Sequence, residues 1–282
     1  MGASLASLDT IINIKQLRDR MRTGVGECMS RLALITHSSN EFIAGDYDRI
    51  YFHHVRKTAG TSIVHAFYSL SGSDPRSIEQ SLRWFAFTRR GGMGFVQNDA
   101  KLIRQGRYFF ATSHLPNYIA HPPADGTFSF TALRDPVNRV VSLYRYLRSS
   151  HSDNGFVFGA LDEERMWAKG SFGKFLDVLP RETLLNQLYM FSPSGSISET
   201  VEALGKLDLV IHTEDISCGI QMLEGLTGIR LVLGHERSSS SEPVVVSKEG
   251  LDRVRTMLEP EYEMLNQLGT IASNRDQPKN GH

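Results

Sequence analysis

An apolar run, Ile50-Tyr51-Phe52-His53-His54-Val55, gives way to the short polar stretch Lys57-Thr58-Ala59-Gly60-Thr61-Ser62, and a helix-forming segment follows at once. A strand that enters a helix through so few residues is a unit of α/β architecture. It aims unpaired backbone N–H groups and the positive end of the helix dipole at one point, which suits an anion. The loop lacks the Gly-x-x-x-x-Gly-Lys-Ser/Thr spacing of a triphosphate site, because Lys57 precedes Gly60 and the loop is too short to wrap two phosphates. It suits one phosphate group, with Gly60 permitting close approach, Thr61 and Ser62 offering hydroxyls and Lys57 adding a compact charge. The plainer alternative is an ordinary helix start capped by Thr58 or Thr61.

A second junction of the same kind lies downstream. Phe128-Ser129-Phe130-Thr131-Ala132-Leu133-Arg134 alternates as a strand does, and Asp135-Pro136 opens a helical pattern from Val137 to Leu147. Ser142 follows Arg134 by about two helical turns, roughly 80° around the axis. Arg134 and Ser142 are candidates to grip a second phosphate, the guanidinium through paired N–H bonds and the hydroxyl through one more. The alternative is an Arg-Asp pair at a helix start with Ser142 facing solvent.

Tyr108-Phe109-Phe110-Ala111-Thr112-Ser113-His114 is a third strand-like run and ends in a histidine. Open α/β sheets place ligands at the carboxyl ends of their strands, so His114 is expected on the same edge as Lys57 and Arg134. By the period-two rule His53 and His54 point to opposite faces and are read as packing residues. His121 makes no metal-ligand spacing with His114. Further strands are expected at 207–212 and 229–233, and their alternation with helical stretches predicts a mainly parallel sheet between helices.

The runs FHHVRKTAGTS and FTALRDPVNRVVSLYRYLR together resemble the two cofactor signatures of sulfotransferases that use 3′-phosphoadenosine 5′-phosphosulfate (PAPS), particularly the carbohydrate branch that includes the heparan sulfate 2-O-sulfotransferases. The resemblance implies a three-layer, P-loop-like α/β fold. It also implies that Lys57, Thr58, Ala59, Gly60, Thr61 and Ser62 hold the 5′-phosphosulfate, that Arg134 and Ser142 hold the 3′-phosphate, and that His114 is the general base. A weaker similarity, His235-Glu236-Arg237-Ser238-Ser239-Ser240-Ser241, points to a late loop in which Arg237, Ser239 and Ser240 close over the nucleotide; a flexible Ser-rich linker is its alternative. The residue before the lysine is usually proline in that family. Here it is Arg56, which either adds charge near the sulfonate or points to solvent.

The expected reaction moves a sulfonate from PAPS to an acceptor hydroxyl of a glycan, glycolipid or related metabolite, with His114 as base and Lys57 as electrophilic stabiliser and with no metal. The competing reading is a nucleotide-binding regulatory or scaffold protein that keeps the loop without catalysis. Phosphoryl transfer from ATP needs a metal-binding acid at a strand end, for which Glu214 and Asp215 are only generic candidates.

The net charge of zero hides an asymmetry: residues 1–150 carry 19 Lys/Arg against 11 Asp/Glu, and the remainder reverses the balance. Within the basic half, Arg83, Arg89, Arg90, Lys101, Arg104 and Arg107 either line a cleft for an anionic acceptor or form a solvated surface. Trp84, Phe85 and Phe87 among them suit either stacking on a sugar ring or the core. No nucleic acid is expected as a partner, and the oligomeric state is open. No segment approaches 18 consecutive apolar residues, the N-terminus lacks a hydrophobic signal core, and Cys28 and Cys218 make no disulfide framework, so a cytoplasmic setting is expected. Residues 1–45 read as an amphipathic leader, 46–272 as one sulfotransferase domain and 273–282 as a disordered tail.

Overall fold

The structure, a computed structural model, describes residues 47–120, 124–152, 162–234 and 246–275. Strand β1 (Arg49–His53) is followed by helices α1 (Gly60–Ser69) and α2 (Pro75–Trp84). Strands β2 (Phe87–Arg90) and β3 (Met93–Gln97) form an antiparallel hairpin whose turn, Gly91-Gly92, has positive φ at both residues. Helix α3 (Ala100–Gln105), strand β4 (Phe110–Ser113) and the short helix α4 (Asn117–Ala120) come next. Strand β5 (Thr127–Leu133) runs into the long helix α5 (Pro136–Ser152). Helices α6 (Asp162–Trp167), α7 (Phe172–Val178), α8 (Arg181–Leu184), α9 (Asn186–Tyr189) and α10 (Ile197–Leu204) precede β6 (Leu209–His212). After a 3₁₀ turn at Thr213–Asp215 come α11 (Ile216–Thr227), α12 (Lys248–Met257) and α13 (Glu259–Arg275).

The six strands form one sheet in the order β2-β3-β4-β1-β5-β6, parallel throughout except for the β2/β3 pair. Alternation along the strands sorts side chains between its two faces. Ile50, Phe52, Phe128, Phe130 and Ala132 join residues of α1, α2 and α11 in one buried cluster. On the other face Leu133 meets α5 and α7 to α10, and Tyr51 and Ala111 meet α3. The result is the expected three-layer α/β fold. It also fixes the site: the chain leaves β1 toward the β4 side and leaves β5 toward β6, so the connections diverge between β1 and β5. In open sheets that divergence opens a crevice at the carboxyl edge.

Two local expectations are corrected. Residues 229–233 form no strand; Ile229 and Leu231 are buried against the first cluster as irregular chain. Helix α13 continues to Arg275, past the expected boundary at 273. The leader at 1–45 and residues 276–282 lie outside the described residues.

Candidate active site

The loop behind β1 is built from unusual backbone. Lys57 has φ 69° and Ala59 has φ 58°, in the left-handed region that costs a non-glycine residue about 1–3 kcal/mol. Ala59 occupies the cap position of α1 and makes no side-chain cap bond. Thr58 is buried and donates its hydroxyl to the Val55 carbonyl at 2.9 Å, so its side chain braces the loop from inside. A helix start capped by Thr58 or Thr61 is therefore not what the sequence encodes here. Among the described residues, the N–H groups of Thr58, Ala59, Gly60 and Thr61 have no backbone acceptor. Together with the helix dipole they form an anion cradle.

Gly60 is required by a neighbour. A Cβ built there lies 1.9 Å from His54 Nε2, because the His54 ring occupies that space. Gly60→Ala is accordingly expected to destabilise the fold by about 1–3 kcal/mol, the usual effect of forcing volume into a packed site. A denaturant midpoint unchanged from the parent protein would contradict this.

His114 follows β4 directly, beside the end of β1 from which the cradle loop departs. Its ring lies 4.2 Å, centroid to centroid, from that of His54, and its Nδ1 is 2.7 Å from the His54 carbonyl oxygen. A carbonyl can only accept, so Nδ1 carries the hydrogen and Nε2 presents a lone pair. The backbone N–H of His114 donates to Asn98 Oδ1 at 2.8 Å. Asn98 is itself at φ 53°, so among the described residues all three non-glycine positive-φ positions border this site. Neighbouring groups enclose His114, and burial lowers its pKa to about 4; Arg56 acts in the same direction, the His54 carbonyl and Glu164 oppose it, and solvent at the ring's exposed edge limits the drop. Burial, with His114, Lys57 and Arg56 nearby, holds His54 well below the usual imidazole value.

Arg134 completes the crevice from β5. Its Nη1 donates to the Lys57 carbonyl at 3.2 Å, tying the two junctions together. Asp135 is not its ion-pair partner: that carboxylate caps α5 through the Asn138 N–H and accepts from the Tyr262 hydroxyl, both at 2.8 Å. Lys57 Nζ lies 4.3 Å above the Tyr146 ring. Ser142 is one turn before Tyr146, on the same face of α5 as the residue that touches Lys57.

Sequence reasoning missed what holds Arg134. Gln187, fully buried, accepts from the Arg134 N–H at 2.8 Å and donates to the Arg134 carbonyl at 3.1 Å. Gln187 in turn donates to both carboxylate oxygens of Glu261, at 2.8 Å from its N–H and 2.9 Å from its side chain. Glu261 is paired with Arg139, and both are essentially excluded from solvent. Arg139 also donates to the Leu184 carbonyl. Each residue of this network has a partner and the two opposite charges face each other, although Arg139 Nε has no hydrogen-bond partner among the described residues.

Arg56 resolves differently from either expectation. Its guanidinium makes a two-pronged pair with Glu164, at 2.7 and 2.8 Å, pinning α6 beside the cradle. Removing the arginine leaves a largely buried carboxylate unpaired, so Arg56→Ala is expected to cost about 1–3 kcal/mol. Thermal unfolding of Arg56→Ala, Glu164→Gln and the double variant reads the pair directly, and additive losses would disprove coupling.

Residues 40–192 match the sulfotransferase family. The chain belongs to that family. The matched span contains the cradle, His114, Arg134, Ser142 and Gln187, and ends before Glu261. No curated protein matches the chain. Among the described residues no group of three or more His, Cys, Asp or Glu is placed to hold a metal, and no helix is long and apolar enough to cross a membrane.

The basic segment divides. Arg89 and Arg90 pair with Gly94 and Met93 at the start of β3, which is the edge of the sheet opposite His114. Arg83 is paired with Glu79, and Arg104 donates to the Ile119 carbonyl. Trp84 and Phe85 are exposed at the His114 edge, two strand spacings, about 10 Å, from β4. Phe87 packs against the Tyr51 cluster. Glu214 accepts from the Asp135 N–H and Asp215 caps α11. Arg237, Ser239 and Ser240 lie outside the described residues.

Proposed function

We propose that the protein transfers a sulfonate group from PAPS to a hydroxyl of an acceptor such as a glycan, glycolipid or related metabolite, in a cytoplasmic setting. The observation that carries this reading is a histidine joined to the anion cradle through His54, with Nδ1 tied to the His54 carbonyl and Nε2 left as base. The residues present fit the donor: the cradle suits the 5′-phosphosulfate, and Arg134 with Ser142 suits the 3′-phosphate. PAPS, when bound, supplies a sulfuryl group on an activated anhydride.

The chain's own groups then have distinct roles. His114 Nε2 accepts the acceptor's hydroxyl proton as the acceptor oxygen bonds to sulfur, a contribution of typically about 10²- to 10⁴-fold. Lys57 and the cradle N–H groups neutralise the charge that grows on the bridging oxygen as its bond to sulfur breaks. Arg134 fixes the nucleotide relative to the loop because it also holds the Lys57 carbonyl. Trp84 and Phe85, exposed on the same edge, offer a surface on which a sugar ring stacks.

Purified protein, PAPS and a panel of hydroxyl-bearing acceptors test the reading. The expected result is release of adenosine 3′,5′-bisphosphate matched by a sulfonate mass gain on an acceptor. Tight binding of the bisphosphate with no turnover on any acceptor overturns it in favour of a regulatory nucleotide-binding protein.

A further inference from the structure

We infer that His54 is a second functional histidine of the site, a neutral imidazole that donates its Nε2–H to an oxygen of the group being transferred. This inference rests on the sulfonate-transfer reading. His54 lies one residue beyond β1, on the same face as Phe52. Its backbone is fixed at both ends of the peptide group: the N–H donates to the Ser113 carbonyl at 2.9 Å and the carbonyl accepts from His114 Nδ1. Its ring stacks on Phe52 at 5.1 Å and meets His114 at 4.2 Å, and its Nε2 edge fills the space beside Gly60 at the mouth of the cradle. The imidazole thus touches both the cradle glycine and the ring of the base. Neither ring nitrogen has a protein partner among the described residues. A half-buried imidazole held against a cluster of acceptorless N–H groups is a further donor aimed at the same anion.

Neutrality is part of the role. When His114 takes a proton it becomes a cation 4.2 Å from the His54 ring. A second positive charge there would oppose the proton transfer. Burial, with His114, Lys57 and Arg56 nearby, keeps His54 uncharged, so it donates one hydrogen bond without competing for the proton.

His54→Phe preserves ring stacking and removes the donor; His54→Gln restores an N–H at similar reach. For His54→Phe, kcat with PAPS is expected to fall about 10²-fold, as for loss of one transition-state donor, with partial recovery in His54→Gln. Affinity for adenosine 3′,5′-bisphosphate, which lacks the sulfonate, is expected to stay within about twofold. If His54→Phe does not fold, as judged by circular dichroism, His54→Met carries the same comparison. Turnover by the donor-less variant equal to wild type, equal weakening of PAPS and bisphosphate binding, or absence of recovery in His54→Gln overturns the inference. Failure of the wild-type protein to use PAPS overturns the parent reading instead.

Discussion

Replacing His114 with alanine is expected to lower kcat by about 10²- to 10⁴-fold while the affinity for the donor nucleotide changes little. In the proposed reaction the ring acts as a base at Nε2, with Nδ1 held by the His54 carbonyl and the backbone N–H by the Asn98 side chain. Because burial lowers its pKa, the base form persists below the ordinary imidazole range. The acid limb of the wild-type rate profile should therefore fall below pH 6.5, and it should vanish from the residual activity of His114→Ala. An acid limb at or above 6.5 would contradict the assignment. The same shift has a stability consequence. Below about 6.5 the unfolded chain binds protons at positions 54 and 114 that the folded chain refuses, so their contribution is fully present above that pH and declines as pH falls.

Lys57→Ala is expected to lower kcat by about 10²- to 10³-fold, the usual loss when one preorganised charge or donor is removed from the transition state. Its ammonium is oriented by the Tyr146 ring, and its carbonyl is the acceptor that positions Arg134. Alanine keeps that carbonyl and the left-handed backbone that Ala59 already shows two residues on. The variant should accordingly melt close to the parent protein and still bind the bisphosphate. Steady-state turnover beside isothermal titration separates the two effects, and an unchanged kcat would remove Lys57 from the reaction.

What the sequence showed was what local pattern encodes. The period-two runs ending at His53, Ser113 and Leu133, each followed by a turn or cap signal, define parallel strands whose ends share one edge, and Lys57, His114 and Arg134 follow from that. The β2/β3 hairpin was hidden by its arginines, although Gly91-Gly92 is a turn signal. The supports of the site were hidden by distance. Gln187 meets Arg134 across 53 residues and Glu261 meets Arg139 across 122, separations that no local window spans. One signal was present: Arg139 lies one turn before Leu143 on a face of α5 that is otherwise apolar, where a charge demands a buried partner. His54 was read as packing because the strand was expected to run through it; the strand ends one residue earlier, and the ring turns toward the cradle.

The network behind Arg134 also orders the site in time. The cradle is complete once β1 and α1 have formed, yet the carboxylate that anchors Gln187 and Arg139 belongs to α13 and leaves the ribosome 122 residues after Arg139. A nascent chain therefore has its loop early and the anchor of Arg134 late. The Gln187 and Arg139 side chains gain their carboxylate partner only when synthesis has passed Glu261.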